Sequence, residues 1–424
     1  MHSLTAPLAS RMPARWREPA DWIRAADVFA ALTLISLPWS TSFPAIFAGI
    51  WVVVLLPAVD WRAFGELLRR PVCYLPLAMV ALAALGMLWS EAPWAARTYA
   101  LRPVGKFLML PLIVYHFQHS KRGPLIFISF LVSCALLMLL SFLVAYDPRF
   151  ALKSVNEFTG DLYGVPVKNY IDQSQEFALC IVALAWPILA CIKARRFGMA
   201  ALLGVVALGF LVNMMFVTVS RTALVSLPVM LLLFAWKHLT RRGMALVLAG
   251  CVAAVALLWV VSPNLRAKLD TIGAEYERYQ TSTERTSGGL RLEFWRKSLQ
   301  FFAEAPVFGH GTGATRTLFE QAAVNQTGVG AEVIGNPHNQ TLNNAVQWGL
   351  VGVALLYAMW IAHLLLFRGE GVVAWIGLLV VVQNMFSSLF NSHLFDFHEG
   401  WMYVLGVGIA GGMMLRAGGV PSKC

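Results

Sequence analysis

Three side chains stand out for where they fall in the chain. Arg221 occupies a short turn between two apolar stretches, in Thr218-Val219-Ser220-Arg221-Thr222-Ala223-Leu224. An arginine at the centre of a bilayer costs about 3 kcal/mol on insertion scales, so a guanidinium at the membrane boundary calls for an anionic partner. Either a lipid phosphate met by a snorkelling arginine or a substrate anion fits that place. Arg291 follows Gly288-Gly289 at the start of an amphipathic stretch, where a solvated helix face would also account for it. His338 lies in Gly335-Asn336-Pro337-His338-Asn339-Gln340, just ahead of an apolar run that begins near Leu342. Pro337 restricts the backbone there, and the neighbouring side chains are neutral donors and acceptors. A neutral imidazole so placed can take a proton from a hydroxyl; a hydrogen-bonded capping histidine is the alternative.

Other candidates carry less. Arg97, Arg102 and Lys106 follow one another at spacings of five and four. Continued as one helix, they would put Arg102 and Lys106 on a shared face, as at an anion between helices. Ordinary lipid headgroups would suit them nearly as well. Gly309-His310-Gly311-Thr312-Gly313 resembles a nucleotide loop superficially, but no strand precedes it, so it reads as a loop turn. His393, Asp396, His398 and Glu399 gather within seven residues and can shape a polar pocket or bind a metal. Interfacial polar residues explain them more simply. No His-Glu-x-x-His, Cys/His cluster or Asp-x-Asp pair is present, which leaves a catalytic metal with little support.

What positions these residues follows from composition. Of 424 residues, 58% are hydrophobic and 13% charged, with a mean hydropathy of +0.66. This excludes a soluble globular enzyme and implies a polytopic membrane protein. Apolar stretches fall near 28–42, 44–59, 72–89, 98–117, 124–146, 175–192, 198–218, 222–236, 244–261, 342–364, 371–390 and 400–415, which predicts about twelve transmembrane helices. The first is read as an uncleaved membrane helix, because no small-residue cleavage site follows it. The six cysteines lie mostly inside these runs and read as small apolar packers rather than a disulfide framework.

Orientation comes from the basic residues of the short loops. With the N-terminus inside, the inner segments collect the N-terminal arginines, Arg62, Arg69, Arg70, Lys121, Arg122, Lys193, Arg195, Arg196, Lys237, Arg241 and Arg242. The formal net charge of +11 is therefore a topology signal, and nucleic acid drops out as a partner. Both termini then lie on the inner side. Two long segments fall outside, 147–174 and 262–340. The second holds two helix-like stretches, 264–281 and 290–303, joined by the breaker Ser287-Gly288-Gly289. In the latter stretch Leu292, Trp295, Leu299 and Phe302 form an apolar stripe, as in a helix that lies on the outer leaflet or caps the bundle. The chain thus divides into transmembrane helices over 1–261, an external helical domain over 262–341, and transmembrane helices with a short tail over 342–424.

Several short motifs occur in a telling order. Ser220-Arg221 is followed by Gly289-Leu290-Arg291 with Trp295, then by Pro306-Val307-Phe308-Gly309-His310-Gly311, then by Pro337-His338-Asn339 ahead of Gln347-Trp348-Gly349-Leu350-Val351-Gly352. The series resembles the O-antigen ligase family of bacterial lipopolysaccharide assembly, most strongly over about 200–355. Protein O-oligosaccharyltransferases and O-antigen polymerases share the pattern. The resemblance implies an all-α, membrane-embedded glycosyltransferase of the C type in the bacterial inner membrane. Such an enzyme moves polysaccharide from undecaprenyl diphosphate to the lipid A core on the periplasmic face, with inversion and no metal or other cofactor. It also implies functional roles for the residues at Arg221, Arg291 and His338, with Arg102, Lys106 and Asn339 as diphosphate- or substrate-binding candidates. Many protein O-oligosaccharyltransferases carry an extra external domain after the last span, and the few residues beyond Leu415 point instead to the ligase. A transporter would predict inverted repeats and a midplane site, whereas the key charges here gather at one face.

Overall fold

The computed structural model describes residues 18–152, 163–218, 220–261 and 287–418; among them the regular structure is helical, with no strand. In chain order the α-helices are α1 Pro19–Ser36, α2 Ser42–Leu55, α3 Trp61–Leu67, α4 Pro71–Leu85, α5 Trp94–Leu101, α6 Met109–His119, α7 Gly123–Tyr146 and α8 Tyr170–Lys193. They continue with α9 Phe197–Phe216, α10 Arg221–His238, α11 Arg241–Val261, α12 Ser287–Glu304, α13 Ala314–Ala322, α14 Gln340–Leu366, α15 Val372–Ser387 and α16 Phe397–Gly418. Helix falls on each of the apolar stretches expected to span. Of the described helices, α7, α8, α9 and α14 are long and apolar enough to cross a membrane, and a pair bent by 116° at α2–α3 makes a fifth. The chain is a helical membrane protein.

Two expectations need correction. The stretch 98–117 is not one helix: α5 stops at Leu101, a 3-10 turn runs Gly105–Leu108, and α6 starts at Met109. Pro103 supplies the reason, since proline has no N–H to bond the Tyr99 carbonyl one turn back and its ring crowds that carbonyl. The Ser287-Gly288-Gly289 breaker is instead the first turn of α12, where glycine disturbs a helix least. The stretch 264–281 lies outside the described residues.

The core is one large apolar cluster running through most of the bundle. Glycines let its helices close in. A Cβ on Gly408 of α16 would sit 2.6 Å from Ile113, and one on Gly412 would sit 2.5 Å from the Val114 carbonyl oxygen. Small residues bring helix backbones together in this way inside membranes. Helix α14 is broken at Gly349, whose φ of 61° and ψ of −152° are non-helical. The loop carrying Gly309-His310-Gly311 docks on that break. Leu350 N donates to the Pro306 carbonyl at 2.8 Å, while His310 N and Gly311 N donate to the Val346 and Gln347 carbonyls at 2.9 and 2.8 Å. Backbone groups freed by the break are thus satisfied by a loop. Side chains are excluded from the contact: a Cβ on Gly349 would lie 2.3 Å from the Val307 oxygen. Gly349→Ala is accordingly expected to lose at least about 2 kcal/mol of stability, read as a lowered midpoint of thermal unfolding in detergent.

Candidate functional site

His338 is held by its own turn. Asn336 Oδ1 accepts from His338 N at 2.9 Å, which supports a left-handed backbone at His338, φ 55°. Non-glycine residues reach that region at a cost, and strain of this kind collects at functional sites. Asn339 then caps α14, its Oδ1 accepting from Leu342 N at 3.0 Å and its Nδ2 donating to the Leu389 carbonyl at 3.1 Å. The same turn is tied to the end of α15 by Gln340 N, which donates to the Ser388 carbonyl at 2.9 Å.

The loop between α15 and α16 closes over the imidazole. His338 Nδ1 lies 2.8 Å from Asn391 Oδ1, and Asn391 Nδ2 donates to Asp396 Oδ2 at 2.7 Å. These contacts decide the tautomer. A carboxylate accepts only, so it holds the amide nitrogen of Asn391 toward itself and turns the amide oxygen toward His338. Nδ1 must then carry the proton, which leaves Nε2 as a bare acceptor. Ser392 Oγ donates to Asn336 Oδ1 at 2.7 Å and accepts from Asn343 Nδ2 at 3.2 Å, fixing the loop to both the turn and α14.

Lys106 supports this loop from below. Its ammonium donates to the carbonyls of Leu394, Phe395 and Asp396, the last at 2.5 Å. It fills the space where residue 400 would carry a side chain: a Cβ on Gly400 would lie 2.1 Å from Nζ. Burial pushes the Asp396 carboxyl up to about 6, against the pull of the Lys106 charge. Arg102 does not join it. It ends α5 with its side chain exposed, so the expected shared helix face is absent because the helix ends between the two. Arg97 is occupied locally, its guanidinium donating to the Ala92 and Met87 carbonyls at 2.6 and 2.8 Å.

Helix α12 packs against α14. Phe294 and Phe301 are buried while Leu299 is exposed. The inward face also carries Glu293, Lys297 and Ser298, and Lys297 Nζ donates to the Gly330 carbonyl at 2.5 Å. Of the stripe Leu292, Trp295, Leu299 and Phe302, Trp295 packs against the Phe294 and Phe301 cluster and Leu299 is exposed. Phe294 and Phe301 pack edge-on against Phe319, and the Phe294 ring lies 6.2 Å from that of His338. Arg291, on the first turns of α12, is close enough to act electrostatically. Burial first, then the Arg291 charge, hold the His338 imidazole below its ordinary value, with the Asn391 hydrogen bond opposing them. The histidine is neutral in neutral solution.

Arg221 is the first residue of α10; its side chain lies outside the described residues. Its backbone is anchored near the same end of the bundle. Thr218, three residues earlier, accepts from Ser174 Oγ of α8 at 2.6 Å. The adjacent turn of α8 bears Asp172, which pairs with His398 Nδ1 of α16 at 2.6 Å. His393 is pushed down to about 4, chiefly by burial; Asp172 opposes the shift, and Arg291 and His338 add to it. The loop is thus within electrostatic reach of α8 on one side and of Arg291 and His338 on the other. Among the described residues, no three His, Cys, Asp or Glu side chains are placed to share a metal ion. Further along these helices, toward the start of α7 and of α15, lies an apolar cavity of about 320 Å³, lined by Leu37, Phe130, Leu179, Leu184, Ile376 and Met402 among others.

Residues 206–357 match the family model described as O-antigen ligase, an interval that takes in Arg221, Arg291 and His338. That stretch of the chain is similar to the O-antigen ligase family. Proteins of that family are glycosyltransferase-like enzymes. An uncharacterized protein of Haemophilus influenzae is 27% identical over 143 residues, 32% of this chain and 36% of that one, so the likeness spans about a third of each. Asn391 and Asp396, which orient His338, lie beyond the matched interval. The sequence marks Asp396 as a pocket-shaping or metal-binding candidate with His393, His398 and Glu399, and does not mark Asn391. The signal was an acidic residue in a short polar loop between two apolar helices.

Proposed function

We propose that this protein is an O-antigen ligase of the inner membrane. On this reading it is a metal-independent, inverting glycosyltransferase of the C type, with twelve spans and both termini cytoplasmic. It transfers polysaccharide from undecaprenyl diphosphate to the lipid A core at the periplasmic face. The observation that carries the reading is the orientation of His338: neutral, with Nδ1 committed to Asn391 and Nε2 open to accept a proton.

The chemistry follows from those groups. The acceptor hydroxyl oxygen attacks the anomeric carbon from the side opposite the diphosphate, and its proton passes to His338 Nε2. The bond from the anomeric carbon to the diphosphate oxygen breaks with its electron pair leaving on that oxygen. A sugar hydroxyl is far less acidic than imidazolium, so proton transfer accompanies attack rather than preceding it. The leaving group gathers negative charge, and Arg221 and Arg291 neutralise it. A guanidinium stays ionised and grips phosphate oxygens in bidentate fashion. Lys106 serves through the loop that carries Asn391 and Asp396, Asn339 through the turn that presents His338, and Arg102 meets phosphate at the exposed rim. The apolar cavity further along the bundle suits the lipid chain of a donor arriving from the bilayer.

Acceptor choice tests the assignment. In proteoliposomes supplied with undecaprenyl-diphosphate polysaccharide, the protein is expected to glycosylate lipid A core added as acceptor. It should lengthen neither a second lipid-linked glycan nor a peptide. Elongation of the second glycan would make it a polymerase; peptide modification would make it a protein O-oligosaccharyltransferase.

A further inference from the structure

Next to His338, on the far side of the α15–α16 loop, the protein buries polar atoms that it does not itself satisfy. Gln175 and Glu176 come from α8, Asn384 and Ser388 from the end of α15, His393 from the loop and Glu399 from the first turn of α16. All six residues are more than nine-tenths buried. Gln175 Nε2, Glu176 Oε1, both amide atoms of Asn384, Ser388 Oγ, His393 Nδ1 and Glu399 Oε1 have no hydrogen-bond partner among the described residues. Buried polar groups are ordinarily paired, because an unmade hydrogen bond costs the full desolvation of the group. The same interior shows the usual outcome at Asp27, which accepts from Ser120 Oγ at 2.6 Å and lies 3.1 Å from His116 Nε2. An accumulation of unmet groups at one place marks a site that something else completes.

The chemistry of the unmet atoms narrows the occupant. His393 Nδ1 and Glu399 Oε1 face each other at 3.6 Å, beyond direct hydrogen bonding, and one oxygen about 2.8 Å from both would complete the pair. Glu176 and Glu399 offer acceptor oxygens, Gln175 and Asn384 offer N–H donors, and Ser388 and neutral His393 offer either. None of the six carries a positive charge to neutralise a phosphate, so the diphosphate belongs elsewhere. The Glu176 and Glu399 carboxylates lie within electrostatic reach of Lys168 and Lys106, so a cation gains little. What remains is a neutral group that both gives and takes hydrogen bonds several times over, which describes the hydroxyls of a sugar ring. Position agrees: His393 stands two residues from Asn391, the residue that orients His338.

We propose that Gln175, Glu176, Asn384, Ser388, His393 and Glu399 form a subsite that reads the hydroxyls of the sugar ring beside the reacting bond. The proposal rests on the transferase reading above. That ring belongs either to the first sugar of the donor or to the acceptor sugar, and kinetics separate the two. Glu399→Gln and Glu176→Gln, each isosteric, are assayed in the full-length protein in proteoliposomes, with donor and acceptor varied independently.

Each variant is expected to raise KM for one of the two substrates by about 10- to 100-fold while kcat stays within about threefold. The substrate affected names the ring. Unchanged KM values for both substrates in both variants would overturn the proposal and leave the chamber to water. An equal loss in kcat for every substrate pair would also overturn it, since that is the mark of a purely structural role. Should Glu399→Gln fail to fold, judged by its thermal transition, Glu176→Gln on a different helix decides alone. Saturation-transfer NMR with glucose, galactose and N-acetylglucosamine keeps this test apart from the transferase assignment. If the wild type transfers nothing, a sugar signal lost in the variants still supports the subsite. The absence of any signal in the wild type would then overturn it.

Discussion

Replacing His338 by alanine is expected to lower kcat about 100- to 10,000-fold, the range for removal of a positioned general base, with KM for the lipid-linked donor nearly unchanged. The effect is in kcat because Nε2 gains its interaction only as the hydroxyl proton is released. The pH profile gives the same claim a second reading. A histidine whose pKa is lowered keeps its neutral, proton-accepting form further into acid. The wild-type rate is therefore expected to hold to below pH 6.5, the ordinary value, and to fall as pH passes through the lowered one. Arg291→Gln removes a positive charge that favours neutral imidazole, so its acid limb should move to higher pH. Asn391→Ala removes a hydrogen bond that favours the charged form, so its limb should move to lower pH while kcat drops with loss of the tautomer lock. Protonation of Asp396, at about 6, frees the Asn391 amide to turn and steepens the acid side. A profile unaltered in all these variants would remove His338 from the proton transfer.

The arginines carry the other large effect. Arg291→Gln is expected to lower kcat about 100- to 1,000-fold, the scale on which removal of one donor to a developing oxyanion acts. Arg291→Lys should recover only part of the loss, since an ammonium keeps the charge but not the planar two-pronged grip. Arg221→Gln should behave similarly. Of the two, Arg291 offers the sharper diagnosis, because its charge also reaches His338 and His393. A variant that lost rate with no change in acid limb would place Arg291 away from the imidazole.

The helices were legible because about twenty apolar residues in a row admit few other readings, and helix falls on each stretch expected to span. Where helix broke, the cause was local and visible in retrospect: Pro103 between α5 and α6, and Gly349 within α14. The docking face of α12 was not legible from hydrophobicity. The periodicity favoured Leu292, Trp295, Leu299 and Phe302, of which Trp295 packs inward, but it gave no sign that the polar Glu293, Lys297 and Ser298 lie buried beside Phe294 and Phe301. For the site, His338 could be marked from its own neighbours. Its orienting partner could not, since Asn391 lies 53 residues further on and is paired with it only by the folding of α15 against α14. Lys106 shows the same limit: its place in sequence suggested a free cation at an anion site, while its three carbonyl partners lie 288 to 290 residues away.

The claim on which the mechanism turns is that guanidinium groups, in place of a divalent ion, take up the charge of the departing diphosphate. Its most direct test is the initial rate of polysaccharide transfer to lipid A core by the purified protein in proteoliposomes, measured in excess EDTA with and without added magnesium or manganese. The account predicts equal rates in all three conditions. Turnover that stops in EDTA and returns with either metal would contradict it.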